Sequence, residues 1–302
     1  MDTDTSPAWQ RHASAIFSGF FGDWLEARNN PLAMPMALFH GCESVDPGSP
    51  HVQAPGSTLC LSIHGLMELE SVWALPGGNG AHYGSLLAAE NRDITPLTLR
   101  YNTGRPIHCN GQALANMLDT LVSQWSLPVE RIILIGHSMG GLLIRSACHY
   151  GQLRGHRWVE RVGDCVYLGA PHDGSWLAKG ARAAAELINR APRDYLRVLG
   201  EVIDLRSEGI RDLSRGEFVT GADGEPPLLP GARHYVVCGL LARARQHPVN
   251  LLFGDALVNE SSARGRERKG WAVSGEASFP GVDHIRLAHH PDVAVQLKEW
   301  LL

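Results

Sequence analysis

The stretch Arg131-Ile-Ile-Leu-Ile-Gly-His-Ser-Met-Gly-Gly141 decides how the rest of the chain is read. Its run of branched apolar residues is the pattern of a strand covered on both faces. The run stops at Gly136-His137-Ser138-Met139-Gly140, and a helix-favouring apolar segment from Leu142 to Cys148 follows. Strand, G-x-S-x-G and helix in that order predict a sharp turn that lifts the Ser138 hydroxyl out of the sheet edge. Glycines two residues before and two after the serine keep side chains from colliding across such a turn. The Met139 N–H, at the helix N-terminus, would then face the space in which an oxyanion forms. The plainer reading is a chance glycine-rich turn, and the flanking strand and helix disfavour it.

The 302 residues can hold one large α/β domain or two small ones, and nothing suggests a second independent core. With 44% hydrophobic residues, 19% charged and a formal net charge of −4, the composition is that of an ordinary globular chain. It argues against a nucleic-acid binder, which would usually be strongly basic. No apolar run reaches the length of a membrane span. Met1 to Gln10 is acidic and polar, without the positive start and apolar run of a secretory signal. The six cysteines (Cys42, Cys60, Cys109, Cys148, Cys165, Cys238) form no C-x-x-C pair. Reduced thiols and a cytoplasmic location are therefore the expectation, although a mature secreted form would look the same.

Around the central stretch, strands and helices alternate. Phe17, Phe20, Phe21, Trp24 and Leu25 fall at helical spacing and predict an amphipathic helix over about 12–28. Its apolar face would pack on the core, with a partner or a lipid surface as the alternative. Met36 to Phe39 begins the sheet. Thr58 to Ile63 is a strand ending in His64-Gly65-Leu66, and Thr95 to Tyr101 is another. Asn110 is placed to cap a helix over Gly111 to Trp125, whose Leu114, Met117, Leu118 and Leu121 form one stripe. Asp164 to Gly169 reads as a strand leading into Ala170-Pro171-His172-Asp173-Gly174-Ser175. Short apolar strands alternating with helices predict a mostly parallel, doubly wound sheet.

From Trp176 to Pro230 the alternation stops, and two helical stretches and a turn-rich return predict an inserted helical cap. The core would then comprise 1–175 and 231–302, with 176–230 as the cap. The sheet resumes with His234 to Leu240, a last strand falls within Trp271 to Phe279, and Pro291 to Leu302 closes the chain as a helix. No internal repeat is seen.

A serine nucleophile on such a sheet calls for an acid and then a histidine further along the chain. Asp255, in Phe253-Gly-Asp-Ala-Leu-Val-Asn259, follows the 234–240 strand and is the candidate acid. Asp164, Asp173 and Asp223 are its rivals, less well placed. His284 follows a Pro-Gly turn after the last strand and is the candidate base. His289-His290-Pro291 reads as the entry to the closing helix, because proline suits a helix's first turn. Leu66 and Met139 would supply the two oxyanion-binding amides. His64, His137, Pro171, His172 and Trp176 are candidate pocket residues, with His137 read as a packed residue of the turn rather than the base. The histidines and cysteines show no metal-binding spacing. The run Arg264, Arg266, Arg268, Lys269 reads as a solvated face, with anionic head groups as the alternative ligand.

Together, His64-Gly65-Leu66, Gly136-His-Ser-Met-Gly-Gly141, Ala170-Pro-His-x-Gly-Ser175, Gly254-Asp-Ala-Leu-Val258 and Gly281-Val-Asp-His284 resemble the bacterial lipase/esterase branch of the α/β-hydrolases. The nearer group is similar to GPI inositol-deacylases. The resemblance covers most of the chain from about Thr58 onward. It implies the α/β-hydrolase fold with a helical cap, hydrolysis of carboxylic esters, and no organic cofactor. It also implies that Pro171 to Ser175 line the route beneath the cap. Relatives read Asp-Gly-Leu-Val in the acid loop, whereas Ala256 stands here in place of the glycine. The calcium or zinc ligands of some secreted lipases find no match.

The expected function is a serine carboxylic-ester hydrolase, esterase or lipase, working on hydrophobic acyl esters through Ser138, His284 and Asp255. A thioesterase or acyltransferase would share that triad, and a non-catalytic binding protein would have lost part of it. The expected partner is a small-molecule or lipid ester, with contact to a lipid surface left open and no nucleic acid. Oligomeric state is not legible.

Overall fold

The computed structural model describes residues 34–172, 208, 212, 217–220, 226–240 and 271–302. Within them, strands β1 (Ala37–His40), β2 (Glu43–Val45), β3 (Thr58–Ile63), β4 (Ile94–Arg100), β5 (Arg131–His137), β6 (Val162–Leu168), β7 (Arg233–Leu240) and β8 (Gly275–Pro280) form one sheet. Its order is β2-β1-β4-β3-β5-β6-β7-β8. The hairpin β1–β2 is antiparallel and packs antiparallel on β4; every pairing from β4 to β8 is parallel. The helices are α1 (Tyr83–Glu90), α2 (Ile107–Gln124), α3 (Met139–Leu153) and α4 (Pro291–Leu301).

Alternation of side chains within single strands divides the core into two layers. Ile132 and Leu134 of β5 join one apolar cluster, Ile133 and Ile135 the other. The first cluster is completed by α2 and α3 through Leu114, Leu118, Leu142 and Leu143, the second by α1 and α4 through Leu87, Val293 and Leu297. Since β5 is enclosed on both faces, it carries no polar alternation, and each buried Ile or Leu there contributes roughly 1.5–3 kcal/mol by leaving water. This is the mostly parallel, doubly wound sheet that the apolar runs predicted.

At the N-terminal edge of the strands, the fully buried Asp164 carboxylate is held from two sides. Arg131 donates to Oδ2 from Nε at 2.9 Å and from a terminal nitrogen at 2.6 Å, and Arg233 Nε lies 2.8 Å from Oδ1. Arg131 also donates to the Leu301 carbonyl at 2.9 Å, fastening the end of α4 to the sheet. Asp164 is thus a structural ion inside β6.

Two local expectations are corrected. Helix α2 starts at Ile107 with Pro106 before it, so Asn110 lies inside the first turn and does not cap it. Its side-chain amide donates back to the Asn102 carbonyl at 2.8 Å, fixing the loop ahead of the helix. The sequence reading also passes over α1, whose Tyr83 hydroxyl donates to the Leu287 carbonyl at 2.8 Å and accepts from the His290 N–H at 2.7 Å. The 176–230 span has few described residues, but Phe218, Leu228 and Leu229 are buried in the first cluster. Ser146 of α3 donates to the Phe218 carbonyl at 2.6 Å.

Candidate active site

The chain passes from β3 to β4 on one side and then, through α2, returns to β5 on the other side of β3. This reversal makes the C-terminal ends of β3 and β5 a topological switch point, where open α/β sheets form their ligand crevice. Ile63 at the end of β3 stands opposite Gly136 of β5. His64-Gly65-Leu66 and His137-Ser138-Met139 therefore emerge side by side.

Ser138 sits between β5 and α3 with φ 53° and ψ −122°, a conformation that costs a non-glycine residue about 1–3 kcal/mol. Its N–H donates to the Leu168 carbonyl of β6 at 2.8 Å, and its carbonyl accepts from Gly141 at 3.0 Å. The flanking glycines are required by space. A Cβ on Gly136 would come within 2.6 Å of the Gly140 carbonyl carbon, and one on Gly140 within 2.3 Å of the Ile63 oxygen. The second close approach brings the start of α3 against the end of β3, and with it the Met139 amide towards the Leu66 loop. Among the described residues, neither the Leu66 nor the Met139 N–H donates to a backbone or side-chain acceptor. Two amides without acceptors, one in the loop after β3 and one at the start of α3, make a donor pair suited to a developing oxyanion.

His284 is buried at the N-terminus of the short turn 285–288. Its ring centroid lies 4.8 Å from that of His137, next to Ser138. Several bonds hold its loop: Arg286 N–H to Asp283 Oδ1 at 3.0 Å, the Tyr83 contacts, and the His289 ring to the Val72 carbonyl at 2.9 Å. His289 and His290 are engaged elsewhere. His290 accepts from the Asp292 N–H and has Pro291 behind it, which is a helix cap.

His137 is fully enclosed, and both ring nitrogens are engaged. Nδ1 is 2.9 Å from Glu68 Oε2, and Nε2 is 2.8 Å from the His284 carbonyl. The same Glu68 oxygen accepts the Gly65 N–H at 2.7 Å. Burial pushes the Glu68 carboxyl up, but the neighbouring His137 charge, its hydrogen bond and the Gly65 N–H outweigh it and hold the group at about 2. Sequence reasoning passed over Glu68. The available signal was a carboxylate three residues beyond the strand-end glycine, together with a histidine directly before the nucleophile.

His64 is also fully buried, stacked on Tyr101 with ring centroids 4.6 Å apart. Its Nδ1 faces the Gly65 carbonyl at 2.9 Å and so carries the proton, while Tyr101 donates to the His64 carbonyl at 2.9 Å. Burial holds this imidazole below its ordinary range, and it stays neutral. Pro171 and His172 are buried beyond β6; the His172 ring packs edge-on against Tyr167 and Trp271, with centroids 4.9 Å and 4.6 Å away. The structure therefore brings together Ser138, Met139, Leu66, His64, His137 and His284. Asp255, its rivals Asp173 and Asp223, Trp176 and the Arg264–Lys269 run lie outside the described residues.

A model of the PGAP1-like alpha/beta domain family matches residues 103–197, a span that includes α2, the serine turn and β6. An esterase from Pyrococcus furiosus is 14% identical, with 82% of this chain and 80% of that one aligned at a TM-score of 0.50. The chain has the α/β-hydrolase fold. An esterase from Thermogutta terrifontis aligns over 90% of this chain and 94% of its own at 15% identity and a TM-score of 0.49. RedJ, a thioesterase of the prodiginine pathway in Streptomyces coelicolor, aligns over 86% and 89% at 16% identity and a TM-score of 0.49. No curated protein sequence matches the chain. Ser138 stands in the turn after β5 and Leu66 in the loop after β3 of this fold. Among the described residues no helix is long and apolar enough to cross a membrane, and no three of His, Cys, Asp and Glu converge as metal ligands.

Proposed function

We propose that this chain is a serine carboxylic-ester hydrolase, an esterase or lipase that works on hydrophobic acyl esters through an acyl-enzyme. The observation that carries the reading is the strained Ser138 turn, whose neighbour His137 packs on the His284 ring, together with two nearby amides without acceptors among the described residues. Ser138 Oγ attacks the ester carbonyl carbon while the His284 imidazole takes its proton. The Leu66 and Met139 N–H groups hold the oxyanion of the tetrahedral intermediate. Collapse expels the alcohol, which receives the proton from His284, and water repeats the sequence to release the acid. Asp255 is proposed to fix the imidazole tautomer from the loop after β7. Pro171, His172 and Trp176 would bound the acyl side, where the 176–230 cap supplies the apolar wall.

A fluorophosphonate probe and a chain-length series of nitrophenyl esters test this directly. Wild-type protein is expected to be labelled at Ser138 and to turn over the esters, and Ser138→Ala to do neither. Turnover retained by Ser138→Ala would end the proposal. Asp255→Asn is expected to lower kcat about 10⁴-fold, by analogy with the protease triad. If Asp173→Asn has that effect and Asp255→Asn does not, the acid lies at the end of β6 instead.

A further inference from the structure

Two loops far apart in sequence, the one after β3 and the one carrying His284, are joined by one buried imidazole. The His284 carbonyl can only accept, so His137 Nε2 carries a proton. Glu68 Oε2 accepts from the Gly65 N–H at 2.7 Å and lies 2.9 Å from His137 Nδ1, the arrangement of a carboxylate oxygen taking two N–H donors, so His137 Nδ1 is a donor as well. A ring that donates from both nitrogens is an imidazolium, and the Glu68 carboxylate is its counter-ion. We propose that Glu68 and His137 are positioning residues for the hydrolysis, a role that rests on the proposed function. The doubly donating His137 ring fastens the Gly65–Leu66 amide loop through Glu68 and the backbone of His284 directly.

The consequence is an all-or-none requirement for charge. A neutral imidazole has one N–H and would have to release either the Glu68 oxygen or the His284 carbonyl. Releasing the first frees the loop that carries the Leu66 amide; releasing the second frees the base. Among the described residues, the titratable groups facing His137 are Glu68 and His64 from the loop after β3 and His284 from the loop after β8, with the Trp73 ring edge-on at 6.3 Å. His64 is neutral and Glu70 is paired with Arg100, and Glu68 is the carboxylate that contacts the ring among the described residues. Neither Glu68 nor His137 touches the reacting atoms in this scheme. They act through Gly65, Leu66 and His284.

Glu68→Gln keeps the shape and removes the charge. Its kcat on a nitrophenyl ester is expected to fall about 10²-fold with KM little changed, because misplaced catalytic groups cost transition-state rather than ground-state binding. The residual kcat should also fall as pH rises through the His137 transition, where the wild-type rate stays level, since only the doubly protonated ring can bridge. His137→Gln should lose a similar factor, and the double variant no more than the worse single one. On the wild-type protein, nitrogen-15 spectra should show one histidine with both ring nitrogens still protonated at a pH where ordinary imidazoles have become neutral. This reading decides the matter if the variants do not fold. A Glu68→Gln protein with wild-type kcat and pH profile, or spectra without such a histidine, would overturn the positioning role and leave the ester-hydrolase reading standing. An inert, unlabelled wild-type protein would overturn both.

Discussion

Gly65 and Ser138 are packed so closely that a Cβ on Gly65 would stand 2.9 Å from the Ser138 Cβ and 3.3 Å from His137 Nδ1. The loop that offers the Leu66 amide can lie against the serine turn only because residue 65 has no side chain. Gly65→Ala must therefore push the loop away from Ser138. The pair to measure is kcat and melting temperature. A fall in kcat of about 10²–10³-fold, the usual cost of one lost oxyanion donor, is expected with a small change in stability. A large loss of stability with kcat preserved in the folded fraction would show that Gly65 serves packing alone.

Ser138 occupies its turn against its own backbone preference, at φ 53° and ψ −122°. Glycine adopts such angles freely. Ser138→Gly should raise stability by about 1–2 kcal/mol while removing the probe-labelled hydroxyl, and Ser138→Ala should remove the hydroxyl without that gain. Calorimetry of the two variants separates relief of strain from loss of the hydroxyl. Equal melting points would mean that the turn stores little energy.

The buried pair of Glu68 and His137 gives the fold an acid-sensitive fastening. The folded-state value of Glu68 lies at about 2, against 4.5 for the free carboxyl. Its stabilisation, of order 3 kcal/mol, is present above pH 4.5 and is lost as pH falls from there towards 2. His82 acts in a higher window. Burial, with a smaller contribution from His40, lowers it from 6.5 to about 4, so the unfolded chain takes up its proton first and stability drops between those values. Wild-type protein should lose stability in two stages on acidification. The lower stage should be smaller in Glu68→Gln, and the upper smaller in His82→Gln, the remainder of the upper stage coming from the buried His64.

The parts that could be read from sequence alone are those whose signal is local. The Ile132–Ile135 run had to be a buried strand because nothing in it can face water, and Gly136-His-Ser-Met-Gly140 had to be a tight turn because two glycines flank one serine. The Pro291 helix start and the strand ending at His64 were equally plain. What escaped was relational. Helix α1 has little amphipathic contrast, since Tyr83, Gly84 and Leu87 are buried while small residues fill much of the remainder. Asn110 has the chemistry of a cap, yet the helix gains another turn ahead of it because the Ile107 N–H finds the Asp212 carboxylate, 105 residues away, at 2.9 Å. Glu68 became legible only when the loop after β3 met His137, since its partner is 69 positions distant.

Asp164 gives the sharpest separation of fold from chemistry. An acidic residue beside a strand invites a catalytic reading, but Asp164 enters near the start of β6, paired with Ile133 on one side and Arg233 on the other. Ser138 lies past the far end of the parallel neighbour β5. Parallel strands put their N-terminal ends on one sheet edge and their C-terminal ends on the other, so the carboxylate cannot reach the His284 ring. Its task is to neutralise Arg131 and Arg233 from inside the sheet, the carboxylate being buried while both arginine side chains reach solvent. Asp164→Asn leaves two guanidinium groups without their counter-ion and loosens the Arg131 bond to the Leu301 carbonyl that fastens α4. Losing a hydrogen-bonded counter-ion to partly solvated guanidinium groups costs about 1.5–3 kcal/mol. The variant should melt well below wild type, yet keep wild-type kcat and probe labelling at temperatures where it remains folded. A kcat loss of the size expected for Asp255→Asn, in protein shown to be folded, would instead make Asp164 part of the catalytic machinery.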